Sequence, residues 1–139
     1  MKPFALVALS AAALAFSPSQ APSTVSVWDG VFTADQAKRG ADLYAKSCAS
    51  CHGDQLEGEG QAPSLTGAEF TGNWNKQVVD DLFEIVKSTM PGDKPGTLSR
   101  ATNADIMAYI FQTNGFPAGK NELPSDAESL KRIRIEGKK

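Results

Sequence analysis

Cys48-Ala49-Ser50-Cys51-His52 is the stretch that decides how this chain of 139 residues folds. The sequence contains no other cysteine and no other histidine, so its scarcest reactive side chains lie within five positions. Two thiols about one helical turn apart can each add to one vinyl group of a haem, and the next residue then lies beneath the iron. The pentapeptide therefore predicts one haem c, covalently attached through Cys48 and Cys51, with His52 as an axial iron ligand.

Three other chemistries use cysteines at this spacing. In an exported chain Cys48 and Cys51 could form a disulfide, since that compartment is oxidising. A zinc site would need an Asp or Glu to complete a set of two thiolates and one imidazole. A redox-active dithiol would need a surrounding βαβ pattern, which the flanking sequence does not show. We favour haem attachment because it is the usual meaning of this motif, and because zinc would require an uncommon set of ligands.

The N-terminus has the organisation of a secretory signal peptide. Met1-Lys2-Pro3 is a short basic segment, and residues 4–16 form an apolar run that is too short to span a bilayer. We expect a signal peptide over residues 1–21, with cleavage after about residue 15 or 21. Export predicts that the protein is located in the periplasm, where haem is attached to such motifs. No later segment approaches membrane-spanning length.

Three segments of the remaining chain have helical periodicity, whereas the alternation typical of strands is sparse. In the first segment, Thr33-Ala34-Asp35-Gln36 has the form of a capping box, which predicts a helix that starts there and runs into the pentapeptide. The third segment is bounded by Ser99 or Thr102 at its start and by Asn114-Gly115 at its end. We expect an all-α fold, with about three main helices and loops around one haem.

The second helical segment leads to a methionine. It is expected to begin near Lys76 and to end before Met90-Pro91. Its predicted apolar face consists of Val79, Leu82, Phe83 and Val86. Its acidic residues Asp80, Asp81 and Glu84 are expected to face solvent. This helix and the other two are predicted to frame a haem-sized pocket.

Elimination narrows the choice of the second iron ligand, because His52 is the only histidine. Met1 belongs to the signal peptide, and Met107 lies inside the third helix beside its apolar face. Met90 opens a loop rich in proline and glycine, whose restricted backbone could hold a thioether against iron. We therefore predict His52 and Met90 as the two metal ligands. If Met90 only fills a gap in the core, the open iron position predicts a gas sensor or a haem enzyme instead.

The order of helix, pentapeptide, methionine-bearing loop and final helix resembles that of the monohaem class I cytochromes c. The resemblance covers roughly residues 33–115 and implies a cytochrome c domain there, between an N-terminal extension at 22–32 and a C-terminal extension at 116–139. In that family the terminal helices cross where a glycine meets an aromatic residue. Gly40 and Tyr109 are similar to that pair.

The resemblance also implies two further cofactor-binding residues. In the family a proline carbonyl accepts a hydrogen bond from the second ring nitrogen of the proximal histidine, and Pro63 is in the matching place. Such a bond fixes the ring and raises its basicity. Trp74 is similar to family aromatics whose indole nitrogen bonds a haem propionate, although ordinary core packing would also explain a tryptophan there.

Two outlying segments suggest the redox partners. Residues 28–33 and 116–123 look like segments of cytochromes associated with periplasmic quinoprotein dehydrogenases. This likeness suggests a dehydrogenase as the electron donor. The resemblance to the class I cytochromes c implies a one-electron carrier that cycles between Fe(III) and Fe(II) and passes electrons to an oxidase or another cytochrome. A haem subunit bound tightly to a quinoprotein dehydrogenase is the alternative. Electron transfer, and not enzymatic catalysis, is the predicted activity, and we expect a monomer.

The charge pattern favours protein partners. With 16 acidic and 14 basic residues the chain has a net charge of −2, which argues against nucleic acid as a partner. Asp54, Glu57 and Glu59 follow the pentapeptide closely, and basic residues crowd the C-terminus. An acidic rim beside the haem would attract a basic docking surface. Solvated charge without a partner is the alternative.

Overall fold

Three long helices provide most of the regular structure in the computed structural model, which describes residues 24–137. They are α1 (Ala34–Ser47), α4 (Val79–Thr89) and α5 (Arg100–Thr113). The shorter elements are strand β1 (Val25–Ser26), a 3-10 turn (Val27–Asp29), α2 (Ala49–His52), α3 (Gly67–Trp74), α6 (Ala127–Leu130) and strand β2 (Ile133–Arg134). The all-α prediction with three main helices is confirmed. The predicted signal peptide at 1–21 lies outside the described residues, and none of the helices within them is long and apolar enough to cross a membrane.

Helix α1 starts where the sequence predicts, but only half of the expected capping box forms. Thr33 is the N-cap, and its hydroxyl accepts a hydrogen bond from the Gln36 backbone nitrogen at 3.1 Å. The Gln36 side chain does not return to Thr33. It is buried and forms two hydrogen bonds with the Leu123 backbone, to the carbonyl at 3.1 Å and from the nitrogen at 2.7 Å. Gln36 therefore fastens the segment after α5 to α1.

Helices α1 and α5 cross at Gly40. A Cβ atom at this position would collide with the backbone carbonyl of Asp105 and would lie 3.0 Å from the Tyr109 Cβ. A glycine is therefore required for the two helices to approach this closely. The predicted pairing of Gly40 with Tyr109 is confirmed, and so is Ser99 as the N-cap of α5, with its hydroxyl accepting from the Thr102 nitrogen at 3.1 Å.

Helix α4 differs from its prediction in two respects. It starts at Val79, three residues later than expected, because Lys76 has a φ of +71° and lies outside the helical region. The expectation that Asp80 faces solvent is wrong, since the residue is only 7% exposed. The C-terminal segment covers this side of α4, and the Lys131 ammonium lies 3.9 Å from the Asp80 carboxylate.

The segment after residue 115 is part of the core. It contributes the buried side chains of Phe116, Leu123, Leu130, Ile133 and Ile135. Its last strand, β2, pairs in parallel with β1 and so joins the two ends of the described chain. Arg100 at the start of α5 donates to the Glu84 carboxylate at 2.6 Å and to the Ser125 carbonyl. The guanidinium also lies 4.7 Å from the centre of the Phe83 ring, so this one side chain joins α4, α5 and the C-terminal segment.

Candidate functional site

The pentapeptide forms one short turn of helix directly after α1. Cys48 ends α1 and begins α2, and the carbonyl of Tyr44 accepts a hydrogen bond from its backbone nitrogen at 2.8 Å. Both cysteines are free thiols, so the disulfide alternative is not formed in this structure. Cys51 is exposed, whereas Cys48 is half-buried and its burial raises the pKa of the thiol to about 11. The two sulfur-bearing residues thus lie at opposite ends of a single helical turn.

The His52 ring is held by a backbone carbonyl. Its Nδ1 atom lies 2.9 Å from the carbonyl oxygen of Pro63, and the residue is only 7% exposed. A carbonyl can only accept, so Nδ1 is the donor in this contact, and in the neutral imidazole the lone pair then lies on Nε2. Nε2 forms no hydrogen bond with the residues that the structure describes, and it is therefore the nitrogen available to a metal.

The backbone on both sides of His52 is hydrogen-bonded as well. Its nitrogen donates to the Cys48 carbonyl at 2.9 Å, and its carbonyl accepts from the Gly58 nitrogen at 2.8 Å. The loop that returns to Pro63 is closed by a bond from the Leu65 nitrogen to the Leu56 carbonyl at 2.8 Å. Ring and backbone are thus held by the same short loop.

The surface of this loop is acidic. Asp54, Glu57 and Glu59 are exposed, as expected. Together with Glu69, the two glutamates line a surface cleft of about 370 Å³ whose wall includes Pro63. The sequence contains no lysine or arginine between Lys46 and Lys76. Negative charge is therefore concentrated beside the residue that holds the His52 ring.

Met90 lies at the C-cap of α4 and is half-buried. Its nitrogen donates to the Val86 carbonyl at 2.9 Å, and its carbonyl accepts from the Gly96 nitrogen at 3.2 Å. Within that loop the Lys94 nitrogen donates to the Pro91 carbonyl at 2.9 Å. The backbone around Met90 is thus fixed by internal hydrogen bonds.

The other predicted residues lie on separate elements. Trp74 ends α3, is half-buried and packs against the core, and its indole nitrogen has no hydrogen-bond partner among residues 24–137. Met107 is fully buried in α5. The structure therefore joins His52 to Pro63 directly, whereas no hydrogen bond within the described part of the chain joins Met90 or Trp74 to the pentapeptide.

Sequence reasoning missed two residues at this site. It assigned Tyr44 no role at this site, but the Tyr44 hydroxyl donates to the Gly53 carbonyl at 2.8 Å. Gly53 has a φ of +80°, and a Cβ there would collide with the Glu57 carboxylate. A hydroxyl one turn before the first cysteine and a glycine directly after the histidine were the available signals.

Comparisons with known proteins agree with the motif. Residues 35–110, more than half of the chain, match the family model described as cytochrome c oxidase, cbb3-type, subunit III. Cytochrome c-554(547) of Halothiobacillus neapolitanus is 53% identical over 96 residues, which are 67% of this chain and 89% of that protein.

Two longer relatives are named as dehydrogenases or their subunits. Thiosulfate dehydrogenase of Stutzerimonas stutzeri is 33% identical over 81 residues, which are 52% of this chain and 25% of that protein. The fructose dehydrogenase cytochrome subunit of Gluconobacter japonicus is 30% identical over 109 residues, which are 71% of this chain and 22% of that protein. The chain thus spans about a quarter of each of these two relatives.

A solved structure shares the fold. The sulfane dehydrogenase SoxCD from Paracoccus pantotrophus superposes with a TM-score of 0.51 at 24% identity, over 88% of this chain and 68% of that one. Likeness at this level of identity supports the architecture alone. The family match covers more than half of the chain, and the 53% identical relative is itself a cytochrome. The chain therefore belongs to the family described as cytochrome c oxidase, cbb3-type, subunit III, and is a c-type cytochrome that transfers electrons through haem c.

Proposed function

We propose that this protein is a periplasmic one-electron carrier in which His52 and Met90 are the axial ligands of a single haem c. The observation that carries the proposal is the 2.9 Å contact between His52 Nδ1 and the Pro63 carbonyl. This contact leaves Nε2 with the lone pair and orients the ring, which is the arrangement that an iron-ligating histidine needs. Electron transfer without substrate chemistry is part of the same proposal.

The donor set of the site fits haem c. Cys48 at the N-cap of α2 and Cys51 within it are free thiols, and His52, the last residue of α2, has an imidazole with an uncommitted nitrogen. When bound, the haem supplies an iron centre that takes up and releases one electron. Cys48 and Cys51 would hold it through thioether bonds, and the Pro63 carbonyl would keep the proton of His52 on Nδ1. Trp74 is proposed to donate its indole hydrogen to a haem propionate, which would satisfy a nitrogen that lacks a partner in residues 24–137.

Met90 is the methionine that suits the second ligand position. Met107 is fully buried within α5, whereas Met90 is half-buried at the end of a helix. The hydrogen bonds that fix the Met90 backbone lower the entropy cost of holding its side chain in one place. His52 and Met90, both fixed by their backbones, would remain bound in both oxidation states, so electron transfer would require little rearrangement.

The redox partners are proposed from the named relatives and from charge. Two relatives are named as a dehydrogenase and as the cytochrome subunit of one, which supports a dehydrogenase as electron donor. A quinoprotein dehydrogenase is the narrower proposal, with an oxidase or another cytochrome as acceptor. The acidic surface formed by Asp54, Glu57 and Glu59 would favour encounter with a basic docking surface. We also propose that the carrier is a monomer. Its chain would consist of a cytochrome c domain at 33–115 and the two extensions on either side of it.

The test is the absorption spectrum of the matured protein in both oxidation states, for the wild type, Met90→Ala and the control Met107→Leu. We expect a low-spin spectrum with the near-infrared band of a sulfur–iron(III) bond in the wild type and in the control. Met90→Ala should lose the band and gain carbon monoxide binding. A wild type that is high-spin and binds carbon monoxide readily would contradict the proposal and favour an open-site gas sensor or haem enzyme.

A second candidate function is supported by one relative. The protein named as a fructose dehydrogenase cytochrome subunit matches 71% of this chain, which favours a haem subunit that stays bound to its dehydrogenase. Purification from the native source at low and high salt separates the two possibilities, because encounters steered by charge weaken with salt. A partner that remains at high salt indicates a subunit, and a partner lost at high salt indicates a diffusible carrier.

A further inference from the structure

Tyr44 contacts the pentapeptide at both of its ends. Its backbone carbonyl accepts from the Cys48 nitrogen at 2.8 Å, at the start of the turn. Its hydroxyl donates to the Gly53 carbonyl at 2.8 Å, directly after His52. Tyr44 therefore contacts both ends of the attachment turn, with its backbone carbonyl at the start and its side chain at the end.

The position of the Tyr44 ring is itself fixed by the helix crossing. The side chain is only 2% exposed, and its ring centre lies 5.4 Å from that of Tyr109 on α5. Gly40, one turn earlier, brings the two helices together. Burial also raises the pKa of the Tyr44 phenol above its usual range, so the hydroxyl keeps its proton and remains a donor.

Gly53 transmits this position to His52. Its φ of +80° is accessible to glycine, and its carbonyl accepts a second, longer bond from the Leu56 nitrogen at 3.3 Å. The Tyr44 hydroxyl is the shorter of the two contacts to this buried carbonyl. Tyr44 on α1 thus holds the backbone directly after His52, while the Pro63 carbonyl holds the imidazole ring itself.

We propose that the Tyr44 hydroxyl is a positioning residue for the His52 imidazole, which it orients through Gly53. The proposal rests on His52 being an iron ligand. A ring held from one side only would sample more orientations, so loss of the hydroxyl should alter the electronic contact between His52 and the iron. Packing of the ring alone does not require the hydroxyl, which separates this role from a structural one.

The test compares holo-proteins carrying Tyr44→Phe and Tyr109→Phe, because each loses one hydroxyl from the same aromatic pair. Only the Tyr44 hydroxyl forms a hydrogen bond with the described residues. We expect Tyr44→Phe to shift the midpoint potential and the iron-shifted NMR signals of the His52 ring. Tyr109→Phe should leave both as in the wild type. Equal potentials and unchanged ring signals in Tyr44→Phe would overturn the inference while leaving ligation by His52 intact.

Two wild-type measurements complete the test. If the ferric wild type has no iron-shifted imidazole signals, ligation by His52 fails and this inference fails with it. If Tyr44→Phe does not mature, the hydroxyl proton of Tyr44 can be observed directly in the wild type. Slow exchange of that proton and a short distance to Gly53 support the inference, and free exchange with solvent overturns it.

Discussion

His52 and the helix that leads to Met90 are held in this fold in two different ways. The hydrogen bonds that fix His52 come from residues no more than 11 positions away in the sequence. Helix α4 is instead fastened by Arg100 and by the C-terminal segment, which reaches it through Lys131 and α6. Local patterns of residue types describe the first arrangement, whereas the second depends on how distant parts of the chain pack.

Replacing His52 tests the region that is held by local contacts, and it has the largest expected effect. His52→Gly deletes the proposed iron ligand and leaves space where the imidazole was. We expect the low-spin spectrum to be lost and to return when free imidazole is added, because the small molecule can occupy the same place. Absorption spectra with and without imidazole measure this.

The matched control is Ser50→Gly, which places the same residue in the same short helix. Ser50 is exposed, so its removal should leave the spectrum unchanged. A low-spin spectrum in His52→Gly without added imidazole would show that another group ligates the iron. The local contacts around Pro63 would then have no role in ligation.

Leu130→Ala tests the contacts between α4 and the C-terminal segment, which is distant in the sequence. Leu130 is fully buried in α6 and belongs to the same core as α4. Loss of a buried leucine side chain costs about 2–5 kcal/mol of unfolding free energy. Denaturant unfolding should show this decrease, and Ile85→Ala on the 50% exposed Ile85 should cost far less. Equal costs in the two variants would mean that the C-terminal segment does not stabilise α4.

Gly40→Ala tests the crossing that the two regions share. The new methyl group would collide with the Asp105 carbonyl, and overpacking of this kind costs about 1–3 kcal/mol. In α3, Gly72 has no atom within 4 Å of its Cβ position, so Gly72→Ala should be neutral or stabilising. Thermal unfolding of both variants measures the contrast. A stable Gly40→Ala protein would show that the helices can separate without loss.

The fold class and its three main helices could be predicted from the sequence, whereas the path of the C-terminal segment could not. The haem motif follows from the spacing of its own residues, whereas Pro63 and the Gly40 crossing were expected from the family resemblance alone. The burial of Asp80 and the turning of Gln36 toward Leu123 were not predicted. Both depend on a C-terminal segment that has no strong helical or strand period, so its path over α4 could not be inferred from pattern.

The smallest expected effect is the pH dependence of the stability that Glu84 and Arg100 give to α4. The hydrogen bond from Arg100 lowers the pKa of Glu84 below its ordinary value of 4.5. A lowered pKa in the folded state means that the ionised carboxylate stabilises the protein above pH 4.5, and that this contribution is lost as pH falls through the folded value. Since both side chains are partly exposed, we expect Glu84→Gln to cost up to about 1 kcal/mol near neutral pH.

The stability difference between the wild type and Glu84→Gln should therefore shrink on acidification. Unfolding at a series of pH values measures it, with Glu59→Gln as the control, because Glu59 is exposed and forms no ion pair within the described residues. Parallel pH profiles for the wild type and Glu84→Gln would mean that Arg100 holds α4 through Phe83 and Ser125 alone. Profiles that converge at low pH would instead show that the ion pair between Glu84 and Arg100 helps to hold α4, the helix that leads to Met90.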